Sequence, residues 1–365
     1  MRFDDGTSIL LRVKREARRG ALAAAIVLIC ACGASGATTA PPPSPSVPST
    51  DIPATTTAET PASRASGPPA STGLIAYVVG PEGALELHVV APDGTGDHSC
   101  GTGSAPSWST DGRTLVFAGP EGTTADGLAF PDVYRAAADC TGAARLIKEG
   151  TAPHLSPDGA RITFGRGVID TGNAWIARAD GSTPLMLMPG TSPTWSPDGS
   201  WLLLNPDTGA FELGLIRPNG SGYHALAGGF DPSWTPDGRI VHLRSDDPKG
   251  TTTLRVIGVD GKATDLFTAP GELASPLMLA DGRVIFVWNH DAWRLDAGSQ
   301  EPVRLTQGLT IVSGLSASTG GRWAAVAVGG AEPGLAVVSI DGGWVTTLTG
   351  AVSNVAWQPV GAGSY

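Results

Sequence analysis

Pro193-Thr194-Trp195-Ser196-Pro197-Asp198-Gly199-Ser200-Trp201-Leu202-Leu203-Leu204 decides the fold, because imperfect copies of this stretch recur to the end of the chain. They are Pro106-Ser107-Trp108-Ser109-Thr110-Asp111-Gly112, Pro153-His154-Leu155-Ser156-Pro157-Asp158-Gly159 and Pro232-Ser233-Trp234-Thr235-Pro236-Asp237-Gly238, each followed by a short apolar run. Two weaker copies follow at Pro276-Leu277-Met278-Leu279-Ala280-Asp281-Gly282 and Leu315-Ser316-Ala317-Ser318-Thr319-Gly320-Gly321. A last one begins at Val355-Ala356-Trp357-Gln358-Pro359 and stops before any apolar run.

Each motif reads as a tight hairpin. Proline fixes φ at the second turn position, Asp bonds its own backbone, and Gly takes the left-handed conformation that follows. A second Gly-containing turn, as at Pro92-Asp93-Gly94, Asp180-Gly181, Pro218-Asn219-Gly220, Asp260-Gly261 and Asp341-Gly342, separates two further strand-like runs. Four short strands in a period of about forty residues specify a propeller blade.

The repeat resembles the WD40-like, TolB-type propeller repeat of bacterial envelope proteins and of the propeller halves of some peptidases, from Gly73 onward. The resemblance implies an all-β propeller with the Trp-bearing segment innermost in each blade and the run after Asp-Gly beside it. Seven such second strands are predicted, beginning at Leu74, Leu115, Ile162, Leu202, Ile240, Val284 and Trp323. The first has no inner strand before it, and the segment at Trp357 has no second strand after it. The two ends therefore complete one blade and close the ring without an open edge. Seven blades are expected; six, omitting the degenerate copy at Leu315, is the alternative.

Arg12, Lys14, Arg15, Arg18 and Arg19 precede the apolar run Ala21 to Ile29, which is too short to span a bilayer, so residues 1–32 read as an export signal. Ile29-Cys30-Ala31-Cys32-Gly33 resembles a lipobox with Cys32 as acceptor, against an ordinary secretory signal as the alternative. Lipid at Cys32 would anchor the protein to the cell membrane on its periplasmic or extracellular side. Residues 33–72, with nine prolines and no aromatic side chain, read as an extended tether, and 73–365 as the propeller domain.

Without residues 1–32 the chain carries 18 Lys and Arg against 31 Asp and Glu, which disfavours nucleic acid as a partner. Cys100 and Cys140 fall in neighbouring blades, and the sequence leaves open whether they form a disulfide or stay as buried thiols. Alternating strand direction puts the short Asp-Gly turns on one face. Longer connections, among them 119–131, 166–173 and 245–252, lie on the other, with an excess of carboxylates. Glu121, Asp126, Asp170, Asp246 and Asp247 are the candidate binding residues there, because variable loops on a rigid scaffold commonly carry recognition. A merely solvated acidic surface is the bland reading of the same residues.

No catalytic motif emerges. The repeated Trp is assigned to packing between blades and the repeated Asp to turn formation. His88, His98, His154, His224, His242 and His290 are scattered without metal-ligand spacing. Gly314-Leu315-Ser316-Ala317-Ser318 lacks the second Gly of a nucleophile elbow. No metal and no cofactor are expected. The sequence reads as a monomeric, lipid-anchored module holding an envelope protein, peptide or glycan without catalysis. The alternatives are a propeller lyase, cyclase or hydrolase with a site assembled at the channel mouth, and an accessory or sensor subunit of a transport complex.

Overall fold

The computed structural model describes residues 67–81, 84–123, 129–167, 172–206, 212–246, 250–330, 333–343, 345–348 and 352–360, without the side chains of 121, 123, 129, 192 and 246. The described residues form seven four-stranded antiparallel sheets, each built from consecutive strands except one. In that exception Val352–Trp357 is the inner strand beside Ile75–Val79, with Ile75 opposite Trp357 and Val79 opposite Val352. The ring is a seven-bladed propeller closed by its two chain ends. We number this composite blade 1 and the others in chain order. The inner strands of blades 2 to 7 are Ser104–Trp108, Thr151–Leu155, Thr191–Trp195, Phe230–Trp234, Leu273–Met278 and Ile311–Ala317. The copy at Leu315, degenerate in sequence, thus forms a full blade.

The second strand of each blade is mostly apolar because neighbouring blades cover both its faces, with Thr163 and His242 as buried polar exceptions. Blade 5 contributes Val241, Leu243 and Leu254 to one cluster with Met278, Val284 and Phe286 of blade 6. Ile75 and Tyr77 of blade 1 pack on Ala325, Ala327, Leu335 and Val337 of blade 7. The core is therefore distributed over the seams between blades.

The Asp-Gly turns form for the reason the sequence gives. Gly112 N donates to Ser109 O at 2.8 Å, and Gly112 has φ +69. Asp111 Oδ1 accepts from Ser109 Oγ at 2.6 Å and from Arg113 N at 3.1 Å, while Ser109 Oγ accepts Thr114 N at 2.9 Å. Ser156 with Asp158, Ser196 with Asp198 and Thr235 with Asp237 repeat the hydroxyl to carboxylate bond. These hydroxyl bonds, then the backbone bonds, hold Asp111, Asp158 and Asp198 below the usual carboxylate range. Asp237, with Arg239 donating to it, falls to about 2.

The long connections differ from expectation. In blade 2 the strands continue as a hairpin through Thr114–Thr123 and Ala129–Ala137, with Glu121 opposite Pro131. In blade 5, Ile240–Asp246 and Thr251–Ile257 pair to their ends, with Asp246 opposite Thr251. Much of 119–131 and 245–252 is thus strand, and Thr123, Phe130, Thr251 and Thr252 there are residues that suit a ladder.

Cys100, on the outer strand of blade 1, is bonded to Cys140 in a turn of blade 2, with Cα atoms 5.4 Å apart. The bond ties the composite blade to its neighbour at the rim and closes a loop of sequence separation 40, for which chain entropy gives about 4 kcal/mol. Replacing both cysteines by Ala should lower the melting temperature by several degrees, and reductant should lower the wild type to the same value. Equal melting temperatures with and without reductant would remove the bond's structural role.

Candidate functional site at the central channel

Each inner strand pairs on one side only, so its free edge faces the axis. Every inner strand also has a break in register against its partner, as between Ser104 and Ser107 or Ala274 and Leu277. In six blades a residue with left-handed φ lies at or beside this break: Ala105 at 47°, Ala152 at 45°, Asp231 at 47°, Ser275 at 51°, Gly314 at 60° and Asn354 at 48°. For L residues this conformation costs about 1–2 kcal/mol each, and small side chains, Asp and Asn bear it best. Adjacent bulges meet. Ser275 N donates to Asp231 Oδ2 at 3.1 Å, and a Cβ on Gly314 would lie 3.1 Å from Val355 N. A ring of small residues thus lines the channel toward the end bearing the long hairpins. The sequence analysis missed it, although the Ala-Pro at 105–106 and 152–153, Asp231-Pro232 and Ser275-Pro276 repeat one step before the motif.

Below this ring the Trp side chains latch the blades. Trp108 Nε1 donates to Ala356 O at 3.1 Å, Trp195 Nε1 to His154 O at 3.1 Å and Trp234 Nε1 to Thr194 O at 3.3 Å. In each case the acceptor is the residue just before the Trp position of the preceding blade. Trp357 instead donates to Thr72 O at 2.8 Å. Blade 3 has Leu155 at this position, and His154 Nδ1 meets Ser107 Oγ of blade 2 at 3.0 Å. Burial holds the His154 imidazole at about 4, hence neutral at ordinary pH. Two cavities of about 320 and 250 Å³, both lined by Leu155, open beside it on the Asp-Gly turn face.

The candidate binding residues are only partly placed. Glu121 and Asp246 lie on the hairpins at the end where the long connections cluster, with only their backbones described. Asp126, Asp170, Asp247 and Cys32 lie outside the described residues. Two other carboxylates of that end are interior. Asp132, 3% exposed, pairs with Arg145 at 3.3 Å and accepts Glu149 N at 2.9 Å. Asp291, 5% exposed, pairs with Arg304 and accepts Thr306 Oγ1 at 2.8 Å. They hold outer strands in place and reduce the acidic surface the sequence suggests. Ser316 accepts Trp357 N at 2.8 Å and Ser318 accepts Trp323 N at 3.2 Å, so both hydroxyls of the Ser316-Ala317-Ser318 stretch serve the frame. Among the described residues no three His, Cys, Asp or Glu side chains gather as a metal site.

The architecture is shared with several solved propellers. TolB from Acinetobacter baumannii superposes with a TM-score of 0.54 at 16% identity, covering 80% of this chain and 68% of its own. An oligogalacturonate lyase in complex with manganese gives 0.60 at 9% identity, over 74% and 86%. Pyrococcus horikoshii acylaminoacyl peptidase gives 0.56 at 14% identity, over 76% of this chain and 51% of the peptidase, so the chain spans about half that enzyme's length. No protein-family model and no curated protein sequence matches the chain. At these identities the likeness defines the fold alone, and one fold here serves a TolB, a lyase and a peptidase.

Proposed function

We propose that this propeller is a non-catalytic binding module of the bacterial cell envelope, tethered through lipid at Cys32 and residues 33–72, and that it holds a protein, peptide or glycan on the hairpin-bearing face. The observation that carries the reading is the channel ring of Ala105, Ala152, Asp231, Ser275, Gly314 and Asn354, whose short side chains bring backbone to the lumen. Such a wall suits recognition of an extended or ring-shaped ligand through main-chain groups better than it suits proton transfer. Glu121 and Asp246 on the hairpins of blades 2 and 5, with Asp126, Asp170 and Asp247, would give that mouth a preference for basic groups.

The experiment is affinity purification of the intact chain from envelope extracts, beside a variant with all five carboxylates changed to Lys. Loss of the co-purifying partner with the melting temperature of the fold unchanged is expected. A partner kept by this variant and lost on altering the Asp-Gly turn face would overturn the assignment. Cys32→Ser should release the protein from membranes; unchanged membrane association and N-terminal mass would refute the anchor.

A further inference from the structure

The latch is a repeated chemical device whose Trp position is held by Leu155, Met278 and Ala317 in blades 3, 6 and 7, and at the first of these two cavities open. In blades 2, 4 and 5 an indole ring enters the seam toward the preceding blade and gives its N–H to a main-chain carbonyl. At blade 3 the side chain is Leu155, which is smaller than indole and has no donor. By the repeat, the carbonyl that an indole there would reach is that of Ser107. Both cavities open at this place, and the larger extends to Thr194, Trp195, Ser196 and Pro197 of blade 4. Leu155, Thr110 and Pro157 line the two of them, so they adjoin. Their walls carry the seat's own chemistry: Trp108 and Trp195 on either side, and the Ser107 hydroxyl with the neutral His154 ring at the back.

We propose that this gap between blades 2 and 3 is a binding pocket for an indole ring, which takes the place that Trp occupies in the neighbouring seams and donates its N–H to the Ser107 carbonyl. The flat apolar ring matches the space bounded by Leu155, Pro157 and the flanking indoles, and the single donor matches the acceptor the repeat supplies. The pocket lies on the Asp-Gly turn face, opposite the mouth assigned to the main ligand. It therefore goes beyond the proposed function, and either can fail alone.

The test titrates free indole, 1-methylindole and N-acetyl-tryptophanamide into the intact chain, followed by the ring-proton resonances of His154 and by the melting temperature. Indole should saturate, shift the His154 signals and raise the melting temperature. 1-Methylindole, lacking the donor, should bind about fivefold more weakly. Binding of N-acetyl-tryptophanamide at similar strength would assign the pocket to a peptide-borne tryptophan, and its failure beside bound indole to the free heterocycle. Leu155→Trp should fill the seat from within, raising the melting temperature and abolishing indole binding, and Leu155→Phe tests the same filling should the Trp variant fail to fold. Absence of saturable indole binding, or equal binding by wild type and a folded filled variant, overturns the proposal.

Discussion

A chain ended after residue 350 should melt far below the intact protein or aggregate on expression, because the lost segment is the inner strand of blade 1. Val352 is 8% exposed and Trp357 5%, and both belong to the cluster shared with blade 7. Burying two such side chains is worth about 3–6 kcal/mol. Against a usual total of about 5–15 kcal/mol that is a large fraction. Polar bonds go with them. Gln358 N and Oε1 clasp the Leu74 backbone at 2.8 and 2.7 Å, and Trp357 Nε1 reaches Thr72 O at 2.8 Å. The fit is close enough that a Cβ on Gly73 would stand 2.8 Å from Gln358 O. Removal also bares the edge of Ile75–Val79, five residues of apolar strand, to pairing with other chains. Thermal melting and gel filtration check this. A truncated protein that stays monomeric and melts within a degree or two of the intact one would show that the ring does not depend on its clasp. A peptide spanning residues 352–360, added in excess, should recover part of the loss.

The ring was legible because its determinants are local. Pro-Asp-Gly dictates a turn whatever surrounds it, and the apolar run after it can only be a strand covered on both faces, so counting turns counted blades. The phase shift between Leu74 and Trp357 carried the closure for the same reason. What the sequence hid depends on neighbours distant along the chain. Asp132 and Asp291 count by position among the carboxylates of the long-connection face, yet each lies beside an Arg thirteen residues onward, across a hairpin, and is withdrawn from solvent by that partner. The shared spacing, Asp132 to Arg145 and Asp291 to Arg304, was the signal available. The bulge ring was missed because only the prolines of the Pro-Asp-Gly turns were given a backbone role, whereas the residue before the proline that opens the motif, such as Ala105 or Ser275, is the one that takes the left-handed conformation. Leu155 stands in the sequence only as one departure within an imperfect copy of the motif. Its consequence, an empty latch, is visible only once Trp108, Trp195 and Trp234 show what the seat holds.

Lowering the pH from 7 to about 4.5 should destabilise the protein by several kcal/mol, before any turn carboxylate is protonated. His242 is fully buried on the second strand of blade 5, and neither ring nitrogen meets a hydrogen-bond partner among the described residues. Gly229 leaves it room, since a Cβ there would lie 2.4 Å from Nδ1. Burial is the largest cause that takes the imidazole from 6.5 down to about 4; the Leu243 backbone opposes it, Arg255 and Arg244 reinforce it, and Asp265 opposes weakly. His154 falls equally far through burial alone, although it keeps an edge on the pocket beside Leu155. In the unfolded chain both rings regain a value near 6.5, so between 6.5 and 4 the unfolded state binds more protons. The contribution is complete above 6.5 and is lost as pH falls through that window, at about 3 kcal/mol for each ring as an upper bound, with His242 the larger. The Asp turns act lower: Asp237, near 2 when folded and 3.8 when free, loses its share between about 4 and 2. Denaturant unfolding at pH 7, 5.5 and 4.5 should therefore show a steep fall in the wild type. In His242→Leu roughly half of that fall should vanish, because no proton is then taken up at this seam. A wild type equally stable at the three values, or a Leu variant that falls as steeply, would mean that the buried imidazoles do not set the acid limit of the fold.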